Sequence, residues 1–227
     1  MKKRYLSFIL VSIFSCKSPK TTFNVQTGLN GKVKKVTENN TLITKTEGKE
    51  VEIDHFINKI KSERYYTEDG KLEKIESFYD GELSNTIKLR YNLNDLIKIQ
   101  ELFDSDGVLK KTEIRNSDTL VLAFSPLGDT ISKSIEKLNF TGLSKIITKK
   151  YSDPIKEVDF IERNADGWIT ESYSIFIMNG DTLNKSKTYY KYPETDEKGN
   201  WTKSYASDID SDTMRVISRI IEYFKEN

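Results

Sequence analysis

Between short polar turns, the chain alternates apolar and polar residues with a period of two, which is typical of antiparallel strands that have one solvated face. Ile87, Leu89 and Tyr91 fall on one side of such a segment, whereas Lys88 and Arg90 fall on the other. Two runs are wholly apolar, and they predict strands that are buried on both faces: LVLAF at 120–124 and IFIM at 175–178. The alternation predicts an all-β protein.

Short turn-forming motifs interrupt this alternation. Four segments align without gaps around Asp-Gly or Asn-Asp, each followed by large apolar residues: 66–72, 91–97, 103–109 and 163–169. Asp-Gly favours a type I′ hairpin turn, because both central residues of that turn need positive φ. Further turns are predicted at five places: Asn30-Gly31, Asp80-Gly81, Gly128-Asp129, Asn179-Gly180 and Lys198-Gly199-Asn200. This spacing predicts a succession of short strands.

The last apolar segment, 214–224, permits two interpretations. Val216, Ile220 and Phe224 are four residues apart, as in an amphipathic helix, but the many β-branched residues favour a strand. We interpret the segment as a strand. The predicted fold is then a single domain at 28–227, an antiparallel meander of short strands that forms a twisted, curved open sheet.

The first sixteen residues follow a different pattern. Three basic residues at 2–4 precede an apolar stretch at 5–15, which is too short to span a bilayer but matches the core of a signal peptide. The stretch ends in Ile-Phe-Ser-Cys at 13–16, which resembles a bacterial lipobox, with Phe14 where smaller residues are commoner. The resemblance implies cleavage before Cys16 and covalent diacylglyceryl and acyl chains on its thiol and amine. The alternatives are a cleaved secretory signal with a chance Cys and an uncleaved anchor.

Residues 16–27 predict a flexible tether between the lipid and the β domain. No Asp and no acidic cluster follows Cys16, and the sorting rules of lipoproteins, applied by resemblance, then favour a periplasm-facing anchor in the outer membrane. Removal of 1–15 changes the net charge from +1 to −2. Because lysines alternate with glutamates rather than cluster, no nucleic-acid partner is indicated.

The turn-rich units resemble the YD or Rhs-like repeats of bacterial envelope proteins, whose unit is roughly Tyr-x-Tyr-Asp-x-x-Gly-Asn. The nearest match lies at 190–203, with three extra residues before its Gly-Asn. Short Bacteroidetes-type lipoproteins of this kind often begin with Gly-Lys-Val-Lys and end with Arg-x-Ile-x-Tyr, which are found here at 31–34 and 219–223. The resemblance implies a β-meander in the cell envelope and no particular reaction.

The single Cys and the single His exclude an intramolecular disulfide and a Cys/His metal cluster. His55 shares a predicted strand face with Val51, Ile53 and Ile57, and no Gly-x-Ser-x-Gly motif accompanies it. We therefore interpret His55 as a partly buried structural residue rather than a catalytic base. No catalytic residue and no cofactor other than the lipid on Cys16 is predicted.

Two groups near the C-terminus are weak site candidates. Asp208, Asp210 and Asp212 alternate as in calcium loops, but the Gly and Glu positions of the EF-hand pattern are occupied by other residues. We favour a solvated loop for them. Four aromatic residues could stack on a sugar or a partner: Tyr190, Tyr192, Trp201 and Tyr205. Packing between neighbouring strands also accounts for them, because an aromatic cross-strand pair stabilises a sheet by ~0.2–1 kcal/mol.

Two functions from different classes remain. The first, which we favour, is a non-catalytic envelope lipoprotein whose sheet surface binds a protein or glycan or serves as a scaffold. The second is a periplasmic, glycosidase-like hydrolase, which would require a deep pocket holding two or more acidic groups. A third possibility, an immunity or accessory protein of a secreted-toxin system, depends only on the Rhs resemblance.

Overall fold

The computed structural model describes residues 29–46, 49–91, 97–117, 119–138, 144–151, 154–208 and 211–225. They form fifteen strands: β1 (Val33–Thr46), β2 (Lys49–Glu52), β3 (Ile60–Tyr66), β4 (Leu72–Tyr79), β5 (Glu82–Tyr91), β6 (Ile97–Asp104), β7 (Leu109–Arg115), β8 (Leu120–Phe124), β9 (Thr130–Leu138), β10 (Ser144–Tyr151), β11 (Ile155–Arg163), β12 (Ile169–Met178), β13 (Asp181–Thr195), β14 (Trp201–Asp208) and β15 (Thr213–Tyr223). A 3-10 turn, Phe56–Lys59, precedes β3. Within these ranges, no helix is long and apolar enough to cross a membrane. The strand interpretation of the last segment is correct.

The fourteen strands β1 and β3–β15 close into an antiparallel barrel. Each strand pairs with the next along the chain, and β15 returns to pair with β1 from Lys35↔Glu222 to Thr44↔Thr213. The predicted open sheet is therefore wrong. Closure pairs the two strands that would otherwise be unpaired edges, and it joins residues as distant in sequence as Glu38 and Arg219, which are 181 positions apart. In the described part of the chain, β2 pairs only with β1 and lies outside the barrel.

Because cross-strand partners share a face, the register divides the barrel into an interior and an exterior. The interior face includes Val36 and Glu38 of β1, Arg115 of β7 and Ser204 of β14, all of which are buried. At the end of β12, Phe176 and Met178 are 36% and 38% exposed, whereas Ile175 and Ile177 on the other face are half-buried. The predicted burial of 175–178 on both faces is thus wrong, because one face of this strand end meets solvent.

Five hairpins use the same turn, and it is not the predicted type I′. Only the glycine has positive φ, so each is a type I turn followed by a glycine bulge. The first residue of each turn has a short polar side chain that accepts a hydrogen bond of 2.8–3.1 Å from the N–H four residues later: Thr67, Asp104, Ser125, Asn164 and Asp196. This side chain, three positions before the glycine, favours the type I turn with a glycine bulge over the type I′ turn. Of the four aligned segments, 91–97 falls largely outside the described residues.

The type I′ turn does occur at two predicted places. Asp80 and Gly81 have φ of 53° and 86°, and Asn179 and Gly180 have φ of 52° and 93°. Here the strands are joined by two residues alone, so the primed turn matches their twist.

At one end of the barrel, residues near the first and the last described strands are joined to the β13–β14 turn by hydrogen bonds. The fully buried side chain of Asn200 accepts a hydrogen bond from the Asn30 N–H (2.5 Å) and donates to the Asn30 carbonyl (2.9 Å) and to Tyr223 Oη (2.6 Å). Tyr223 in turn donates to Asp196. Beside this network lies a small apolar core around Val33, Val36 and Tyr66. We call this the sealed end.

Barrel closure can be tested by spin labelling. Asn39 and Ser218 are exposed, directly paired residues of β1 and β15. With Asn39→Cys and Ser218→Cys in a Cys16→Ser background, two nitroxides should show strong dipolar broadening, because their Cβ atoms are about 5 Å apart. A matched pair at Asn39 and Lys133, on the diametrically opposite strand β9, should show none. Equal spectra from both pairs would contradict closure.

Candidate functional site

A cavity of about 320 Å³ lies in the barrel interior between β6 and β11. Its lining includes two short side chains on neighbouring strands, Val121 of β8 and its cross-strand partner Ser134 of β9, and we call these two residues the floor. The flanking strands carry long charged side chains around this floor. The two short side chains thus leave space between longer, charged neighbours.

The rim of the cavity is charged, with four carboxylates and two cations: Glu113, Glu136, Glu157, Asp159, Arg115 and Lys149. Glu136 lies 3.0 Å from Arg115 Nη2 and 3.0 Å from Lys145 Nζ, and all three side chains are largely buried. Glu113 lies 2.8 Å from Lys111 Nζ. These pairs fix the charged groups on one side of the cavity.

On the other side of the cavity, hydroxyl groups hold the carboxylates. Tyr151 Oη donates to Glu157 (2.9 Å), and Ser174 Oγ donates to Asp159. The pKa of Lys149 is raised. Burial alone would lower it, but the hydrogen bond with Tyr151 and the negative charges of Glu157 and Glu113 have the larger combined effect. Burial and the Glu157 carboxylate raise the pKa of Tyr151. At neutral pH the cavity therefore presents a cationic lysine and a protonated phenol beside carboxylate acceptors.

This arrangement is suited to binding a polar molecule. A hydrolase of the predicted kind needs one carboxyl group that donates a proton and another that attacks or activates water. The cavity does contain several carboxylates, but each one accepts a hydrogen bond or ion pair from a neighbouring side chain. The geometry orients the carboxylates as hydrogen-bond acceptors.

A second charged group lies nearer the sealed end. Glu38 of β1 lies 2.6 Å from Arg64 Nη1 on β3 and 2.6 Å from Arg219 Nε on β15. Burial raises the pKa of Glu38, but the charges and hydrogen bonds of both arginines outweigh it, and the pKa falls to about 2. The Arg219 guanidinium also stacks 3.3 Å from the ring centre of Trp201. This group joins three strands across the closure and has a structural role.

The four predicted binding aromatics do not form one surface. Trp201 is only 7% exposed and packs between Arg219 and the ring of Tyr192, whose centre is 5.2 Å away. The Tyr192 hydroxyl donates to the Ile169 carbonyl (2.7 Å). Tyr190 faces the interior, whereas Tyr205 lies on the exterior and donates to Glu50 (2.9 Å). Trp201 and Tyr192 therefore support the sealed end rather than offer a stacking platform.

The remaining candidates have local structural contacts. His55 lies after β2 rather than on a strand, and its Nδ1 accepts from the Ile57 N–H (3.3 Å) at the start of the 3-10 turn. Asp208 accepts from Thr188 Oγ (2.5 Å), and Asp210 lies outside the described residues, as does Cys16. Among the residues that the structure describes, no three His, Cys, Asp or Glu side chains come close enough to hold a metal ion.

Sequence reasoning missed the cavity residues, although a signal was present. Along β9, Ser132, Ser134 and Glu136 lie on one face of the strand, and Lys133 and Ile135 lie on the other face. A strand that is polar on its buried side indicates a solvated or ligand-filled interior. The signal is weak because either face of β9 could have been taken for the solvent side.

Comparisons with known proteins leave the family open. No family model matches the chain, and no curated protein matches it. Three solved structures resemble parts of the fold. A porin-like protein from Bacteroides uniformis is 13% identical (TM-score 0.49, covering 86% of this chain and 99% of that one). A putative outer membrane lipoprotein-sorting protein domain from Vibrio parahaemolyticus is 9% identical, with a TM-score of 0.35, and the match covers 89% of this chain and 91% of that one. A DUF1329 family protein from Desulfovibrio piger is 11% identical, with a TM-score of 0.30, and the match covers 84% of this chain and 86% of that one.

The lowered pKa of Glu38 predicts a pH dependence of stability. A folded-state pKa of about 2 against the ordinary 4.5 means that ionised Glu38 stabilises the fold above about pH 4.5, and that this stabilisation is lost as the pH falls towards 2. The difference corresponds to about 3 kcal/mol. In Glu38→Gln, denaturant unfolding at pH 7 should show a loss of about 3–5 kcal/mol, because two buried arginines lose their partner. The free energy of unfolding should also change less between pH 5 and pH 3 than in the wild type.

Glu63 provides the matched control. It faces the exterior, its pKa also falls to about 2, and its side chain is 10% exposed, close to the 11% of Glu38. The two carboxylates differ in their most and least exposed partners: Lys61 is 38% exposed, whereas Arg219 is 12% exposed. Glu63→Gln should therefore destabilise the fold less than Glu38→Gln, because Lys61 can turn towards water and Arg219 cannot. Equal losses would refute a special role for the Glu38–Arg219 pair.

Proposed function

We propose that this chain is a lipid-anchored, non-catalytic binding protein of the bacterial cell envelope, and that its barrel holds a small glycan in the interior cavity. The observation that carries the proposal is the cavity itself, with its floor of short side chains and its rim of fixed charges. Sugar hydroxyl groups donate and accept hydrogen bonds at once, so they match a rim that offers both carboxylates and cations. A volume of about 320 Å³ lies at the small end of the range for ligand sites.

The cavity favours a glycan over the other ligands considered from sequence. A protein partner is too large for an interior site of this size. A hydrolytic role is disfavoured because every rim carboxylate already has a donor. The proposed binding surface is thus the inside of the barrel, whereas the sequence suggested a sheet surface without specifying its face.

Attachment to the envelope is proposed to occur through lipid on Cys16, with residues 16–27 as the tether and the barrel facing the periplasm from the outer membrane. The exterior of the barrel supports attachment rather than insertion. Ion pairs such as Lys35–Glu63 (2.9 Å), Lys74–Glu76 (2.7 Å) and Arg90–Glu101 (2.8 Å) cover the outside of β3–β6. A lysine or arginine facing lipid costs about 2–4 kcal/mol at the bilayer midplane, so this half of the barrel belongs in water.

The cavity can be tested by filling it. In Ser134→Trp the indole would occupy the floor, and binding of neutral mono- and disaccharides, measured by titration calorimetry, should weaken at least tenfold. The control is Lys133→Trp, which places the same side chain on the exterior of the same strand. If no saccharide binds the wild type, or if both variants bind equally well, the glycan proposal is wrong. Thermal unfolding of both variants distinguishes a filled cavity from a misfolded barrel.

The anchor makes a separate prediction. In cells supplied with radiolabelled palmitate, the wild type should carry the label and remain in the membrane fraction after an alkaline wash. Cys16→Ser should lose the label and appear in the soluble fraction, because a thiol is required for the diacylglyceryl linkage. Unchanged labelling and partitioning in the variant would refute lipidation at this residue.

A further inference from the structure

The outside of β9–β12 carries an apolar surface. Six exterior side chains on these strands form it: Ile135, Ile146, Val158, Phe160, Tyr173 and Ile175. They are contiguous because Ile146, Phe160 and Tyr173 are consecutive cross-strand partners, as are Val158 and Ile175. Ile146 is 39% exposed and Phe160 is 36% exposed. We call this surface the apolar patch.

A row of lysines borders the apolar patch. Lys133, Lys150 and Lys156 are directly opposite one another on β9, β10 and β11. Like charges at directly paired positions destabilise a sheet. Within the described ranges, none of the three lies within 4.0 Å of a carboxylate, so the fold does not neutralise them. We call these residues the lysine row.

The exterior of β3–β6 is different. There the lysines alternate with glutamates and form ion pairs, as in Lys61–Glu63 (3.1 Å) and Lys74–Glu76 (2.7 Å). The lysine row, in contrast, lies beside the apolar patch on the opposite side of the barrel. Such a combination matches an anionic, amphipathic partner.

We propose that the apolar patch and the lysine row dock on an anionic phospholipid surface. The lysines would contact headgroup phosphates, while Ile146 and Phe160 enter the boundary between headgroups and acyl chains. The choice of a bilayer depends on the lipid anchor of the proposed function, which would keep the barrel at a membrane. Residues 16–28 can span at most about 45 Å when extended, so the anchor would keep the barrel within that distance of the lipid.

Vesicle sedimentation tests the docking without the anchor. The chain from residue 16 with Cys16→Ser contains every described strand and carries no lipid. It should bind vesicles containing phosphatidylglycerol and should bind pure phosphatidylcholine vesicles much more weakly. Replacing Lys133, Lys150 and Lys156 together by Gln should reduce the partition coefficient on anionic vesicles roughly 100-fold, because each lysine near such a surface contributes about fivefold.

The matched control replaces Lys34, Lys45 and Lys49, three exposed lysines of β1 and β2, by Gln. This variant has the same net charge and should bind like the unsubstituted chain. Equal losses in the two triple variants would show unspecific attraction and overturn the proposal, as would failure of the unsubstituted chain to sediment with anionic vesicles.

A further variant separates a bilayer from a soluble polyanion. Ile146→Ser with Phe160→Ser should weaken binding to anionic vesicles at least tenfold and leave binding to polyglutamate unchanged. If the unsubstituted chain bound polyglutamate more tightly than anionic vesicles, the proposal of a membrane partner would be wrong, and an acidic polymer would be the better candidate. The circular dichroism spectrum of each variant should match that of the unsubstituted chain, which would show that the variant is folded. The assay contains neither a lipidated Cys16 nor a saccharide, so its failure is distinguishable from failure of the proposed function.

Discussion

The pairing of β1 with β15 is the constraint on which the rest of the structure depends. Glu38 and Arg219 face each other across this seam, and Arg64 on β3 completes the charged group at 2.6 Å. Nearby, Asn200 ties the β13–β14 turn to Asn30 and Tyr223. A buried carboxylate between two arginines is costly unless its geometry is maintained, so this group favours one register of the seam over its neighbours. Without the seam the sheet would have two exposed edges and no interior.

Closure gives each strand two different environments. In an open sheet the alternating faces of β9 would both meet solvent, but in the barrel Ser132 and Ser134 face inward beneath charged neighbours, while Lys133 and Ile135 face outward. The cavity and the apolar patch are thus opposite faces of the same strands. A proposed ligand site and a proposed membrane-docking surface can lie on one sheet because the period of two keeps their residues apart.

Much of the strand structure was predictable, because turns and alternation are local. The Asp-Gly and Asn-Gly signals located the hairpins, and β-branched residues identified β15 as a strand. The turn type at Gly70, Gly107 and Gly167 was not predicted, because it depends on the polar side chain three positions earlier rather than on the Asp-Gly pair. The partners of the aromatic residues were not predictable for a related reason: the contacts of Trp201 with Arg219 and of Tyr192 with Ile169 form only after the strands have been arranged.

The sequence by itself determined the all-β class and most hairpin positions, since each of these depends on residues within a few positions of one another. Lipid attachment at Cys16 is a prediction from the sequence of the same local kind. Only the tertiary structure decided that the sheet closes, which face is the interior, and that Val121 and Ser134 lie side by side in the lining of the cavity. These features depend on pairing between residues as distant in sequence as Val33 and Tyr223, which are 190 positions apart, and a period of two is the same for an open sheet and a barrel. Which side of the alternation faces inward is settled by the curvature of the closed sheet, a property that no single strand possesses.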